Sequence, residues 1–310
     1  MCAAMKKAVV TGASGFLGLP LCKALLEKGV VVFAVVREGT DGNPRLLGLP
    51  GIRVIRCNYG GYANLAGMVG ENDIDTLFHM AWAGVNGGGK AEYAVQLDNL
   101  RAACDIVHAG SGMGCRRIVF PATVSEYSVY EMMGTGETPP GNTLYHSAKL
   151  AADFFMRTLA GTLGMEYVRA LVPSVYGPCF DRGATIFLHQ SIMKLMDGEP
   201  CPFTSGMQPY DFVYVSDAVE AFARLGEMGK RGRTYYIGHP PRKLKDFLLE
   251  MKEEVAPHAV LGFGELPDTG LVLDYSRFYS DALFEDTGFC PKVCFREGIR
   301  RTVAWLRSGE

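Results

Sequence analysis

The chain has 310 residues, of which 48% are apolar and 21% charged, and its formal net charge at pH 7 is −2. This composition predicts a soluble globular protein, and the near-neutral charge argues against a nucleic-acid-binding surface. The longest apolar run, residues 29–36, is too short to cross a bilayer, and the N-terminus does not resemble a signal peptide. Nine cysteines without a paired pattern or a histidine cluster favour reduced thiols in the cytoplasm and no metal site.

The first elements form a strand–turn–helix–strand unit. Residues 7–11 predict a strand, 19–28 a helix and 30–36 a buried parallel strand. Between the first two lie Gly12, Gly15 and Gly18, which permit a tight turn and close backbone approach to a pyrophosphate at the helix N-terminus. The spacing differs from the commonest dinucleotide fingerprint, so a purely structural glycine turn is the alternative reading.

Two further positions bear on the nucleotide. Arg37 follows the second strand, where an acidic residue would bind the ribose hydroxyls of NAD. An arginine there suits the 2′-phosphate of NADP, although it can equally be a solvated surface residue. Asn58 and Tyr59 follow a third strand, residues 51–56, and Asn58 is placed to meet the adenine edge.

The fourth and fifth strands end in small and hydroxyl-bearing residues. Residues 74–79 run into Ala81 and Trp82, and a helix over 92–109 carries Asn99. Residues 117–121 form the fifth strand, which leads to Thr123 and Ser125. Because ligands bind at the carboxyl ends of parallel strands, hydroxyls here are expected at the site of substrate chemistry.

After a loop over 132–142, a helix extending to residue 163 carries Tyr145 and Lys149. Residues four apart share a helix face, about 5–6 Å apart at Cβ. A nearby ammonium is expected to lower the pKa of the phenol and make it a general acid/base. Alone, the pair is weak evidence, because a Tyr-x-x-x-Lys match is more often one buried face residue and one solvated lysine.

The remaining chain predicts a sixth strand over 167–171, a loop over 173–178 and irregular structure over 200–205. Strands are expected over 210–215 and 234–237, and helices over 185–197, from 216 onward, and over 243–255, 279–286 and 295–307. The fold class is therefore α/β, a Rossmann-type doubly wound parallel sheet with a smaller C-terminal α/β substrate lobe. We expect a nucleotide domain over 1–171, with returns near 210–240, and a lobe over 172–310.

These features together resemble the extended short-chain dehydrogenase/reductase superfamily, in its NAD(P)-dependent nucleotide-sugar epimerase, dehydratase and reductase group. The matching stretches occur in the family's order and comprise residues 11–18, 79–82, 99, 123–127, 145–149, 175–178 and 211–217. The resemblance implies that Tyr145 is the acid/base, that Lys149 is its electrostatic partner and binds the nicotinamide ribose, and that Thr123 hydrogen-bonds the reacting oxygen. A hydride would then move between nicotinamide C4 and a sugar carbon.

The expected cofactor is NADP, with NAD as the alternative. The expected cofactor-binding residues are Gly12, Ser14, Gly15, Phe16, Leu17, Gly18, Arg37, Asn58, Tyr59, Ala81, Trp82, Asn99, Tyr145, Lys149 and Pro173. The expected substrate residues are Ser125, Glu126, Ser174, Arg182 and Tyr210.

Departures from the family pattern bear on the reaction. Sugar 4,6-dehydratases follow the threonine with an Asp-Glu pair, whereas Val124 and Ser125 follow Thr123, so dehydration is not expected. Tyr210 and Ser174 replace the arginine and asparagine usual at those places. The best reading is a reductase of a nucleotide-linked 4-keto-deoxysugar. A 4-epimerase with tightly bound NAD, a reductase of a non-sugar carbonyl and a non-catalytic nucleotide sensor stay open.

The resemblance also implies a homodimer, with residues 92–109 and 144–163 as the interface helices. Neither the sugar nor its nucleotide follows from the sequence.

Overall fold

The computed structural model describes residues 4–39, 43–178, 186–268 and 272–308. The strands are β1 (Lys7–Thr11), β2 (Val31–Val36), β3 (Arg53–Arg56), β4 (Thr76–His79), β5 (Arg117–Thr123), β6 (Glu166–Val172), β7 (Ser174–Tyr176), β8 (Cys201–Phe203), β9 (Pro209–Tyr210), β10 (Phe212–Tyr214), β11 (Thr234–Tyr236), β12 (Arg242–Lys243) and β13 (Leu261–Phe263). The helices are α1 (Gly18–Glu27), α2 (Pro44–Leu47), α3 (Leu65–Val69), α4 (Tyr93–Gly112), α5 (Tyr127–Met132), α6 (Thr143–Thr162), α7 (Phe187–Met196), α8 (Val215–Met228), α9 (Leu244–Val255), α10 (Asp281–Thr287) and α11 (Phe295–Ser308).

In the described ranges, seven parallel strands form the central sheet in the order β11-β6-β5-β4-β1-β2-β3. The chain winds outward from β1 to β3, then crosses to β4 and winds the other way. This reversal creates a crevice between the carboxyl ends of β1 and β4, where doubly wound sheets bind nucleotides. The predicted Rossmann-type α/β fold is confirmed.

Both faces of the sheet are covered, and each is packed by a separate apolar cluster. Along β1, Ala8 and Val10 belong to the cluster that includes α1 and α8, whereas Val9 belongs to the cluster that includes α4 and α6. Successive side chains of a strand point to opposite faces, so a β1 that is apolar throughout must be buried on both sides. This explains why β2 is a continuous run of apolar residues.

Three predictions of local structure were wrong. Residues 173–178 contain strand β7, which pairs with β10, and residues 200–205 contain β8, which pairs with β13. The strand predicted over 210–215 is divided into β9 and β10 on either side of Asp211. In each case the partner strand lies far along the chain, so the pairing that stabilises these short strands leaves no local pattern.

Outside the central sheet, the described strands pair in twos: β7 with β10, β8 with β13 and β9 with β12. β11 returns to the central sheet beside β6. The division into a 1–171 domain and a 172–310 lobe stays a prediction. Among the described residues, no helix is long and apolar enough to span a membrane, and no group of three or more His, Cys, Asp or Glu side chains could hold a metal ion.

Candidate active site

The glycine turn after β1 lies directly against the loop that follows β4. Gly12 has φ +63°, and a Cβ there would lie 2.8 Å from the Ala81 backbone. A Cβ on Gly18 would collide with the Gly12 carbonyl oxygen. A side chain at Gly12 would push the turn away from the loop after β4, and one at Gly18 would open the turn itself, so the close packing requires both glycines.

Helix α1 begins at Gly18. The Leu19 N–H donates to the Gly15 carbonyl at 3.1 Å, and Pro20 has no N–H. Leu17, which precedes the helix, offers no side-chain cap, and the first turn contains no acidic residue. The positive end of the helix dipole is therefore available to an anion. Phe16 and Leu17 are partly buried against the core, whereas Ser14 is half-buried within the turn.

The carboxyl end of β2 carries a cation and an anion in succession. Glu38 follows Arg37, and its backbone N–H donates to Asn58 Oδ1 at 3.1 Å. Asn58 Nδ2 in turn donates to the Glu38 carboxylate at 2.9 Å. The Asn58 amide thus engages both ends of Glu38, while Arg37 lies within electrostatic range of the Tyr59 phenol.

Two buried side chains fix the loop after β4. Asn99, 1% exposed, accepts from the Ala83 N–H at 2.8 Å and donates to the Ala83 carbonyl at 2.9 Å. Gln96, which the sequence reading missed, accepts from Trp82 Nε1 at 3.1 Å and donates to the Gly89 carbonyl at 2.9 Å. Asn99 therefore does not face solvent: it fixes the loop after β4 by binding the Ala83 backbone.

Lys149 is buried beneath this loop. Its ammonium donates to the Pro121 carbonyl at 3.0 Å and lies 4.1 Å from the Trp82 ring centroid and 4.4 Å from that of Phe120. Aromatic faces attract a cation, which offsets part of the cost of removing it from water. Burial nevertheless lowers the pKa of Lys149, and the nearby Glu126 carboxylate opposes that shift.

Tyr145 lies on the same helix, with its ring edge-on to Trp82 at 6.4 Å between centroids. Burial, followed by the negative charge of Glu126, raises the pKa of its phenol. The expected lowering of this pKa by Lys149 is therefore wrong. The sequence reading took account of the lysine but not of the buried carboxylate nearby.

Thr123 ends β5 and caps the short 3₁₀ helix over residues 124–126. Its Oγ1 accepts from Ser125 N–H at 3.3 Å, which leaves the hydroxyl proton free to donate. Its own backbone N–H donates to Glu126 Oε1 at 2.9 Å, completing a capping box. The chain turns sharply here and presents the Thr123 hydroxyl at the carboxyl end of the sheet.

Glu126 was expected to contact substrate, and the structure gives it a different role. It has no exposed surface, and its second oxygen accepts from Arg169 Nη2 at 2.6 Å. Both carboxylate oxygens are thus engaged by the protein. Glu126 is a positioning residue, because no part of its carboxylate is open to a ligand.

Arg169 on β6 connects Glu126 to helix α6. Its Nε lies 3.3 Å from the carboxylate of Asp153 on α6, and Asp153 also accepts from Tyr167 at 2.6 Å. One buried guanidinium therefore joins the segment carrying Thr123 to the helix carrying Tyr145. Sequence spacing could not indicate this, since the groups come from three separate elements.

The expected substrate residues beyond β6 lie apart from this network. Ser174 Oγ and Tyr210 OH share a hydrogen bond of 2.9 Å, and both side chains are half-buried. Pro173 is buried between β6 and β7, and Ser125 is half-buried after β5. Arg182 lies outside the described residues.

Asp211, which follows Tyr210, is fully buried. Its Oδ2 accepts from Tyr236 OH at 2.6 Å and from the His239 N–H at 2.7 Å. Its Oδ1 is enclosed without a hydrogen-bond partner in the described ranges. Burial raises the pKa of this carboxyl to about 7.

Comparison with known proteins places this geometry in context. The model of the NAD dependent epimerase/dehydratase family matches residues 8–238. A dTDP-glucose 4,6-dehydratase of Actinoplanes sp. is 26% identical over 325 residues, covering 97% of this chain and 98% of that protein. A protein of the same name from Neisseria meningitidis is 29% identical over 173 residues, 52% of this chain and 48% of that protein.

Among solved structures, the Bordetella bronchiseptica enzyme WbmF in complex with NADH superposes with a TM-score of 0.81. It is 21% identical, and the match covers 99% of this chain and 93% of that one. WbmF has also been solved with NAD+ and UDP. At this identity the likeness shows a shared fold.

We expect Glu126→Ala to destabilise the protein by about 3–5 kcal/mol, because Arg169 would keep its buried charge without its nearest partner. Glu131→Ala is the matched control: Glu131 pairs with the exposed Arg277, and such surface pairs contribute about 1 kcal/mol or less. Urea unfolding measures both. Equal, small losses would show that the buried ion pair does not stabilise the site.

The raised pKa of Asp211 predicts a pH dependence. The unfolded carboxyl titrates near 3.8 and the folded one near 7, so between these values the folded state holds a proton that the unfolded chain has lost. Its contribution to stability is full below about pH 4 and is lost as pH rises through 7, by no more than about 4 kcal/mol. The Asp211→Asn variant should flatten the unfolding free energy between pH 5 and 7.5, whereas the exposed Asp246→Asn should not. Parallel profiles for Asp211→Asn and wild type would contradict this.

Proposed function

Because the chain belongs to the NAD dependent epimerase/dehydratase family, we propose that it transfers a hydride between a nicotinamide cofactor and a nucleotide-linked sugar. The specific reaction we propose is NADPH-dependent reduction of a nucleotide-linked 4-keto-deoxysugar. The observation that carries the proposal is the arrangement at the carboxyl end of β5. The Thr123 hydroxyl proton is free to donate there, Lys149 donates to the Pro121 carbonyl, and Arg169 ties α6, which carries Tyr145, to the segment after Thr123.

The glycine turn and the N-terminus of α1 fit the pyrophosphate of a dinucleotide, and the loop over 81–84 fits its nicotinamide half. The bound cofactor supplies the hydride from nicotinamide C4. Thr123 donates a hydrogen bond to the substrate carbonyl oxygen, and Tyr145 gives that oxygen a proton as it becomes a hydroxyl. The Lys149 ammonium then stabilises the phenolate that the transfer leaves behind.

The protonation state of Tyr145 supports the reductive direction. Burial and Glu126 raise its pKa, so the phenol carries its proton at neutral pH. A proton donor is what reduction requires, whereas oxidation of an alcohol requires the phenolate. The cost of forming the phenolate is lowered only when positive charge lies nearby.

The residues after Thr123 support a reaction other than dehydration. Val124 is apolar, Ser125 bears a hydroxyl, and the Glu126 carboxylate is bound by Arg169 and the Thr123 N–H. No carboxylate in this segment is free to move a proton at a neighbouring sugar carbon. The proposal thus separates this chain from relatives named as 4,6-dehydratases.

The end of β2 supports NADP. Glu38 is the acidic residue next to Arg37 at the end of β2, and Asn58 engages its carboxylate. Arg37 is then the charged group suited to a 2′-phosphate. The second candidate is a 4-epimerase with retained NAD. WbmF, which shares the fold, was solved with NADH and with NAD+ and UDP, and this favours NAD as the cofactor.

Helices α4 and α6 pack against each other within the chain. We propose that their outer faces form the interface of a homodimer. Both expose large apolar side chains: Tyr93 and Leu97 on α4, and Leu144, Phe154 and Phe155 on α6. A second copy of the same surface would bury these residues in a helical bundle.

We expect Tyr145→Phe to lower turnover by about 10²–10⁴-fold, because the ring is kept and only the transferable proton is lost. Cofactor affinity, measured by fluorescence titration, should stay near that of wild type. The control is Tyr279→Phe, since Tyr279 is 66% exposed. Unchanged turnover in Tyr145→Phe would contradict the mechanism, and a non-catalytic nucleotide sensor would show no turnover in wild type either.

The nucleotide released on denaturing freshly purified protein separates the two reactions. A reductase exchanges its cofactor each turnover, so we expect substoichiometric nucleotide and tighter binding of NADPH than NADH by the emptied protein. Arg37→Met should remove most of that preference, because the charge opposite the 2′-phosphate is lost. Near-stoichiometric NAD would instead identify an epimerase.

Replacing Leu97 by Glu should dissociate the dimer, because burying an unpaired carboxylate opposes association. Sedimentation equilibrium reports the mass directly. Leu249→Glu, on the similarly exposed face of α9, is the control and should leave the mass unchanged. A wild-type protein that sediments as a monomer would contradict the proposed interface.

A further inference from the structure

A second lysine, Lys90, lies close to Tyr145. Lys90 lies in the 3₁₀ helix Gly87–Ala91, and its Nζ is 5.2 Å from the Tyr145 ring centroid. The segment is fixed in place, since Gln96 binds the Gly89 carbonyl and Gly84 packs closely on Gly89. Lys90 is therefore held beside Tyr145 rather than extended into solvent.

The Lys90 ammonium has no hydrogen-bond or ion-pair partner within the described ranges, although it is partly buried and burial lowers its pKa. A partly desolvated ammonium whose protons have no acceptor costs stability, and the Tyr145 ring offsets part of that cost. A ligand that supplies an acceptor would remove the rest. The nearest titratable neighbour on α6 is His146, which lies within electrostatic range of Lys90.

Hydrogen bonding fixes the tautomer of His146. Ser128 Oγ contacts both the Ser125 carbonyl oxygen, at 2.7 Å, and His146 Nδ1, at 2.8 Å. The serine has one proton and the carbonyl can only accept, so Ser128 donates to Ser125 and His146 Nδ1–H donates to Ser128. Nε2 then carries a lone pair, is not enclosed, and has no partner among the described residues.

Burial, with Lys90 as a smaller contribution, lowers the pKa of His146 to about 4. The ring is therefore neutral near pH 7, and Nε2 is an acceptor. Lys90 and His146 thus present one donor and one acceptor beside the Tyr145 ring, whose centroid lies 5.6 Å from that of His146.

We propose that Lys90 and His146 form a subsite that recognises a hydroxyl group of the substrate sugar, near the reacting carbon. The hydroxyl oxygen accepts from the Lys90 ammonium, and its proton is donated to His146 Nε2. A hydroxyl satisfies both groups at once because it is both acceptor and donor. A carboxylate would satisfy Lys90 but would face the Nε2 lone pair. The proposal rests on the proposed function and adds a specificity determinant to that site.

The test is calorimetric binding of UDP-glucose, dTDP-glucose and their 2-, 3-, 4- and 6-monodeoxy analogues to the protein saturated with NADP+. In wild type, we expect one deoxy analogue to bind about tenfold more weakly than its parent, since a hydrogen bond to a charged group is lost. In Lys90→Met and in His146→Phe, that difference should fall to about twofold or less, because the parent loses the same contact. Lys90→Arg should keep it.

Lys194→Met, which removes an exposed lysine on α7, is the control and should behave as wild type. If the parent sugars bind and every deoxy analogue binds equally well, or if the same analogue stays weak in Lys90→Met, the subsite is wrong while the proposed function stands. If no nucleotide sugar binds wild type, the proposed function fails, and this inference fails with it. Lys90 is only partly buried, in a segment that is mostly exposed, so its substitution is expected to be tolerated. The Lys90 variants therefore test the proposal even where His146→Phe does not fold.

Discussion

The buried ion pair between Glu126 and Arg169 is the interaction on which the site depends. Glu126 closes the turn at the end of β5 through the Thr123 N–H, and Arg169 carries that restraint from β6 to Asp153 on α6. Two charges removed from water contribute net stability only when their remaining hydrogen-bonding capacity is also met. Here the Thr123 N–H donates to Glu126, and the Tyr127 hydroxyl accepts from Arg169 Nη1 at 3.4 Å. The buried charges therefore restrain the segment that carries Thr123 relative to α6, which carries Tyr145.

The same carboxylate sets the electrostatics around the two catalytic candidates. Its negative charge opposes the loss of the Lys149 proton and also opposes ionisation of Tyr145. A phenol that keeps its proton is what a reduction needs at the start of turnover. The aromatic faces of Trp82 and Phe120 hold the ammonium without competing for its role, since they neither accept nor donate a proton.

Sequence reasoning succeeded where the signal is local. The strand–glycine–helix unit, the continuous apolar strands and the spacing of Tyr145 and Lys149 follow from short-range patterns, and they defined the fold. It failed where the cause lies in distant chain segments. The partners of β7 and β8, the role of Glu126, the clamp of Asn99 on Ala83 and the raised pKa of Tyr145 all arise from tertiary contacts that no spacing encodes. The sequence drew attention to Glu126, but its burial beside Arg169 could not be predicted from the sequence.

Transfer of the nicotinamide hydride to a sugar carbon is the central claim, and isotope transfer tests it most directly. The protein would be incubated with a panel of nucleotide-linked 4-keto sugars and with NADPH that carries deuterium at the transferable C4 position. The mass of the sugar product would then be measured by mass spectrometry. We expect one deuterium in the reduced sugar, bound to carbon and retained in water. A reduced product without deuterium, or no reduction across the panel with either NADPH or NADH, would contradict the account.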